Sequence, residues 1–251
     1  MEKRVSISVV NYLNSFPFIE GLKSSSIADT IELQLDTPSV CASKLIAGTV
    51  DIGLVPVAVL RDIPHHQIIS NYCIGADGRV DSVLLVSSVP LHEIKDILLD
   101  NQSRTSVLLA QVLAAKLWKI TPQWIPATDD FEKQISGTSA AVVIGDKTFA
   151  LKNKFPFVYD LAEEWKKLTA LPFVFACWVS GRSLPDSFIS QFNLALENGL
   201  LMRKKIAEEA ATQYPAINVK DYLLHKIKYQ FDAEQQNALK LFLEFVEELR
   251  L

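Results

Sequence analysis

A chain of 251 residues is long enough for one large domain or two of ordinary size. With 49% hydrophobic and 22% charged residues it has the balance of a globular protein. The formal charge is −4 and no basic run exceeds Arg203-Lys204-Lys205, which speaks against a nucleic-acid backbone or an anionic membrane as the main partner.

The first residues, Met1-Glu2-Lys3-Arg4, lead straight into Val5–Val10, a stretch too short and too polar for a secretory segment. No apolar run approaches the length of a membrane span, so a cytoplasmic location is expected. The alternation in Val5–Val10 predicts a strand, and Asn11-Tyr12-Leu13-Asn14-Ser15 a turn, with Pro17 opening a helix. Ile31 to Leu35 reads as a second strand. Thr37-Pro38-Ser39 signals a helix start, Gly48 a stop, and Val50 to Val55 a short buried strand ending at Pro56. This strand–helix–strand rhythm predicts a parallel sheet.

Gly75-Ala76-Asp77-Gly78 reads as a turn before the apolar strand Ser82–Ser88, the expected first crossing between two lobes. Ser103-Arg104-Thr105-Ser106 then precedes a helical run, Val107 to Trp118, and Trp124-Ile125-Pro126 a short strand. Ala140 to Ile144 is a strand ending at Gly145-Asp146. Asp160, Glu163 and Glu164 read as a solvated helix start. Leu171 to Val179 is the natural return crossing. A helical tail follows from Leu184 to Leu251, interrupted near Pro215; the stripe Leu239, Phe242, Phe245, Val246 and Leu249 reads as core packing over the first lobe. The expected division is therefore 1–86 with 177–251 as a discontinuous first lobe, and 87–176 as the second.

Several strand ends combine small polar residues with a following helix: Asn14-Ser15, Thr37-Pro38-Ser39, Ser82, and Arg104-Thr105-Ser106. Helix N-termini present unpaired N–H groups and partial positive charge, which suit a carboxylate or phosphate. Ser39 and Thr105 equally suit N-caps. Asn14 suits either turn stabilisation or ligand contact, and Asp146 either a cap or the ligand cleft. The three cysteines are odd in number and widely spaced, each in an apolar stretch, so they read as small buried hydrophobes. The four histidines show no zinc spacing, and the His65-His66 pair after Pro64 belongs in a loop. No metal or cofactor is expected. There is no nucleophile elbow, P-loop or dinucleotide fingerprint, and no His–carboxylate pair with general-base spacing.

Taken in order, a set of segments resembles the menaquinone-biosynthesis chorismate dehydratase family (MqnA, of the futalosine pathway). They are Tyr12-Leu13-Asn14-Ser15-Phe16-Pro17, Pro38-Ser39 with Leu45 to Pro56, and Ile74-Gly75-Ala76-Asp77-Gly78 into Val80 to Leu85. Ser103 to Val107, Gly145-Asp146, Tyr159-Asp160-Leu161 through Trp165, and Leu168 to Ala176 complete the series. Ala170 stands where that family usually has glycine, and Asn71 where aspartate is common.

The resemblance implies an α/β, two-lobed type II periplasmic-binding-protein-like fold, each lobe a mostly parallel sheet flanked by helices, with a ligand cleft between them. It also implies conversion of chorismate, a small dicarboxylate, to 3-[(1-carboxyvinyl)oxy]benzoate and water; the sequence itself is compatible with a monomer or homodimer. Asn14 would then be catalytic, as an orienting amide and not a base. Ser82, Thr105 and Ser106 would hold carboxylates, with Ser39 assisting and Asp146 facing the cleft. Without a protein base, the substrate's enolpyruvyl carboxylate becomes the candidate proton acceptor. Competing readings are a non-catalytic small-carboxylate-binding protein and the sister dihydroxynaphthoate synthase, whose opening Ser-Pro-Cys-Pro segment this chain lacks.

Overall fold

The computed structural model describes residues 4–63, 65–100, 103–127 and 131–249. Residues 1–3, Pro64 and residues 250–251, on which parts of the leader, histidine-loop and tail expectations fall, lie outside the described residues.

The chain opens with β1 (Val5–Val10), α1 (Phe16–Lys23), β2 (Ile31–Asp36), α2 (Pro38–Ile46), β3 (Ile52–Pro56) and β4 (Gln67–Ala76). Next come β5 (Val83–Ser87), β6 (Asp96–Leu99), α3 (Arg104–Leu113), β7 (Gln123–Pro126), β8 (Ser139–Ile144), α4 (Thr148–Leu151), β9 (Phe157–Asp160) and α5 (Leu161–Thr169). The last part holds β10 (Phe173–Ser180), α6 (Asp186–Leu201), α7 (Arg203–Ala210), α8 (Val219–Asp221), β11 (Lys228–Gln230) and α9 (Ala233–Glu248).

Two compact units result. The first takes the chain up to Gly75 and again Val174–Asp232; the second takes Ala76–Phe173 and the chain from Ala233 onward. The breaks differ from the expected 86/87 and 176/177. β4, not β5, is the strand at which the chain first leaves one unit for the other, because β5 lies inside the second sheet between β8 and β9. The last helix is also reassigned. Phe242 and Phe245 of α9 meet the Trp165 ring edge-on at 6.0 Å each, and Phe242 meets Phe173 at 5.1 Å, so its apolar stripe completes the second unit's core. Leu239, Phe242 and Val246 are buried, as the spacing predicts, but over a different partner, and Leu249 at the end of the stripe is exposed.

In the first unit six strands run in the order β11-β4-β10-β3-β1-β2. The pairs β1–β2 and β1–β3 are parallel, the product of the β-α-β rhythm, whereas β10 lies antiparallel to β3 and β11 antiparallel to β4. The second sheet, β7-β6-β8-β5-β9, has the same mixture: β6 is parallel to β7 and β8, and β5 is antiparallel to β8 and β9. Parallel pairing thus holds for the β-α-β portions only; the returning strands make both sheets mixed. β3 and β10 are buried at every residue, which explains their uninterrupted apolar sequence.

The first unit's core centres on Phe18, ringed by Trp178 at 5.7 Å and Tyr229 at 5.3 Å, with Phe192 5.1 Å beyond Trp178. In the second, Leu84, Val86, Leu98, Phe131, Ala141, Val143 and Leu151 pack together beneath the sheet. The predicted helix from Val107 begins earlier, at Arg104, and gives way to a π-helical turn at Ala114–Trp118 that closes on left-handed Lys119. Among the described residues no helix is long and apolar enough to cross a membrane.

Candidate functional site

In each unit the polar candidates gather at the edge where the parallel strands end. Val10 of β1 is in register with Asp36 of β2, so the β1–α1 and β2–α2 connections emerge side by side, tied by the Asn11 N–H donating to the Asp36 carbonyl at 2.9 Å. This edge of an α/β sheet is where ligands commonly bind.

Asn14 sits in a 3-10 turn, Leu13–Ser15, directly before α1 and is half-buried. Its backbone carbonyl accepts the Tyr229 hydroxyl at 2.9 Å. Its side-chain Oδ1 accepts the hydroxyl of the fully buried Ser15 at 3.1 Å. No other partner of the Asn14 side chain is present among the described residues, so both Nδ2 protons remain to be donated. Pro17 occupies the first turn of α1, as predicted. That helix lies against α6 through a pair of glycines: a Cβ on Gly199 would run into the Pro17 carbonyl oxygen and fall 3.0 Å from Gly21 Cα. The absence of side chains at this crossing therefore sets where Asn14's helix can rest.

Ser39 lies at the second position of α2 and is not its N-cap; Thr37 is. Neither caps with its side chain. Their hydroxyls face each other at 3.3 Å. Behind them the Asp36 carboxylate is held by the Ser8 hydroxyl at 2.7 Å and by the Lys44 ammonium at 2.7 and 2.8 Å.

The second unit brings Ser82, Thr105, Ser106 and Asp146 to one edge. The Gly145 N–H donates to the Ser82 carbonyl at 2.9 Å, which places the β8–α4 turn bearing Asp146 beside the start of β5. β6 and β8 are parallel neighbours, so the α3 N-terminus emerges on the same side, and Lys147 links the two connections through Asp100 at 2.6 Å. Asp146 is half-buried in the turn, and Lys147, not Asp146, takes the N-cap position of α4. Ser82, Thr105 and Ser106 are all at most 3% exposed.

Ser103 is the N-cap of α3, a role that Thr105 does not take. Its Oγ accepts the Ser106 N–H at 3.2 Å while its own proton goes to Ser106 Oγ at 2.8 Å. The Ser106 hydroxyl is thereby an acceptor inside the cap, and among the described residues its own proton has no acceptor.

Asp160 corrects a sequence expectation. It is fully buried, not solvated. One oxygen accepts the Val80 and Asp81 N–H groups at 2.9 and 2.6 Å, and the other accepts those of Ala162 and Glu163 at 3.1 and 3.2 Å, capping α5. Burial pushes its carboxyl up to about 6, against the pull of these donors and of the Arg79 guanidinium. Together with Thr148, whose hydroxyl donates to the Asp81 carbonyl at 2.9 Å, it fixes left-handed Asp81 and so the strand start at Ser82. Glu164, also read as solvated, is buried and accepts the Trp118 indole N–H at 2.7 Å.

The residues missing from the sequence reading are the supports: Tyr229, Gly199 and Thr148 lie outside any ligand-like motif, and Ser103 was read only within a helix-start segment. Ser15 and Asp160 did lie within quoted segments, but as neighbours of the candidate residues. All three cysteines are buried, with Cys41 pushed up to about 11 chiefly by burial, consistent with packing roles. His65 is in a turn and His66 follows in the loop, its ring nitrogen 3.1 Å from the Ile63 carbonyl.

A curated relative, the chorismate dehydratase of Thermus thermophilus, is 25% identical over 223 residues, covering 80% of this chain and 81% of its own. Among solved structures, protein AF1704 from Archaeoglobus fulgidus superposes with a TM-score of 0.76 at 13% identity, covering 98% of each chain. The periplasmic aliphatic sulphonate binding protein SsuA from Escherichia coli gives 0.65 at 14% identity, covering 100% of this chain and 88% of its own. These likenesses establish a periplasmic-binding-protein-like fold built on the two mixed sheets. The family model described as menaquinone biosynthesis matches residues 5–248, nearly the whole sequence, and the chain belongs to that family.

Proposed function

We propose that this protein is a chorismate dehydratase, converting chorismate to 3-[(1-carboxyvinyl)oxy]benzoate and water. Family membership and the Thermus thermophilus relative support the substrate class. One structural observation carries the chemistry: Asn14 has its amide oxygen occupied by Ser15, and among the described residues nothing accepts its amide protons.

Loss of the ring hydroxyl together with a neighbouring ring proton makes the ring of chorismate aromatic, so the reaction demands little acid–base power from the protein. The protein's task is to fix the ring so that proton removal and hydroxyl departure align, and to keep water out. Asn14 cannot serve as a base at neutral pH. It donates to negative charge developing in the transition state, as amide donors do in oxyanion sites. Ser82, Thr105 and Ser106 hold substrate carboxylates, assisted by Ser39; the Ser106 proton left over by the Ser103 cap suits this task. Asp146 contacts the neutral part of the ligand. The substrate's own enolpyruvyl carboxylate takes the proton.

Incubating the purified protein with chorismate and following the aromatic product by absorbance and mass tests this directly. Product formation that saturates with chorismate is expected. Saturable chorismate binding with no product would instead identify a carboxylate-binding protein of the same fold.

A further inference from the structure

We infer that Tyr229 and Ser15 are positioning residues that hold Asn14 as a fixed hydrogen-bond donor, an inference that rests on the role proposed for Asn14. The two contacts grip different parts of one residue. Tyr229 donates to the main-chain carbonyl at 2.9 Å, and Ser15 to the side-chain oxygen at 3.1 Å.

Tyr229 comes from far along the chain. It lies on β11, which pairs with β4 as Lys228 opposite Gly75 and Gln230 opposite Tyr72. Between those pairs β4 has two residues, Cys73 and Ile74, opposite Tyr229 alone, so the extra residue lies on β4 and Tyr229 faces the irregularity. The ring is completely buried, edge-on to Phe18 at 5.3 Å, with the Arg203 guanidinium 5.4 Å from its centre. Phe18 belongs to α1, the helix that Asn14 precedes, so ring and hydroxyl hold the same segment. Burial keeps the phenol protonated far above the usual range, and it donates at any working pH.

Ser15 settles which way the amide faces. Its hydroxyl is buried and has Asn14 Oδ1 as its acceptor. Turning the amide over would put Nδ2 against that oxygen and leave the buried hydroxyl proton unpaired, which is costly. The amide therefore keeps its oxygen inward and its protons outward.

A double-mutant cycle on turnover separates positioning from general stability. Tyr229→Phe keeps the ring and removes only the hydroxyl. It is expected to lower kcat about tenfold with KM within about twofold. The same change made in an Asn14→Ala background is expected to cost nothing further. An equal loss in both backgrounds would overturn the inference. A second measurement does not depend on activity: 15N relaxation of the Asn14 side-chain amide in asparagine-labelled protein. The amide is expected to be as rigid as the backbone in the wild type and to loosen in Ser15→Ala; equal mobility in the two would overturn Ser15's part. If the wild type fails to turn over chorismate, the dehydratase reading falls, while the relaxation result still decides whether Ser15 orients the amide.

Discussion

Asn14 and Ser106 stand in the strand-to-helix connection and first helical turn of different units and are prepared in the same way by different means. Each has a serine hydroxyl donated to its side-chain oxygen, which leaves its own protons directed elsewhere. Ser106 owes its setting to Ser103, three residues earlier in the same helix cap. Asn14 has a local serine as well, but its turn also depends on Tyr229 and on the Gly21–Gly199 crossing, both distant in sequence. One donor is built by local sequence and the other by tertiary structure, so damage should travel differently to each.

The largest effect is expected where tertiary support is removed. Gly199→Ala places a methyl group against the Pro17 carbonyl, a backbone atom that cannot swing aside. The cost of such overpacking is about 3 kcal/mol, read as a lowered midpoint in urea unfolding. Chorismate turnover is expected to fall with it, because the displaced helix carries the Asn14 turn. Stability and turnover both within error of wild type would break the comparison.

Ser103→Ala tests the local case. Loss of the cap is expected to cost about 1 kcal/mol, measured by the same unfolding curve. The chorismate KM is expected to rise while kcat changes little, since Ser106 loses its orientation and Asn14 does not. A fall in kcat alone would contradict the division of roles.

The smallest effect concerns Ala170. It closes α5 in the left-handed region, φ 60°, its N–H donating to the Lys166 carbonyl. A Cβ is unfavourable there by about 1–2 kcal/mol, and glycine gives back part of that gain through its greater unfolded-state freedom. Ala170→Gly is therefore expected to stabilise by about 0.5 kcal/mol with turnover unchanged. Destabilisation would show that the methyl group packs usefully.

The same contrast explains what the sequence could reveal. β1, β2, β3, β8 and β10 were legible because apolar alternation or runs mark them, and Pro17 and Ser103 announce helix starts through local chemistry. β4 was not, since Ser70 and Asn71 interrupt its pattern and Gly75-Ala76 reads as a turn. β9 and β11 are too short to show a period. The candidate residues themselves fell at strand ends, where a local signal exists. Their anchors did not: Asp160 looks like an ordinary exposed acid in sequence, and only the fold shows it buried among four N–H donors. Mixed sheets escaped for a related reason, because strand direction is set by the crossings between units and leaves no mark on composition.

If the amide of Asn14, held as a donor, carries catalysis, removing it should abolish most of the rate. Turnover of chorismate by Asn14→Ala and Asn14→Asp, with folding verified by circular dichroism, measures it most directly. Loss of one preorganised donor predicts a fall in kcat on the order of a hundredfold in each variant, with the fold intact. Rates close to wild type in both variants would show that the Asn14 amide is not needed for turnover.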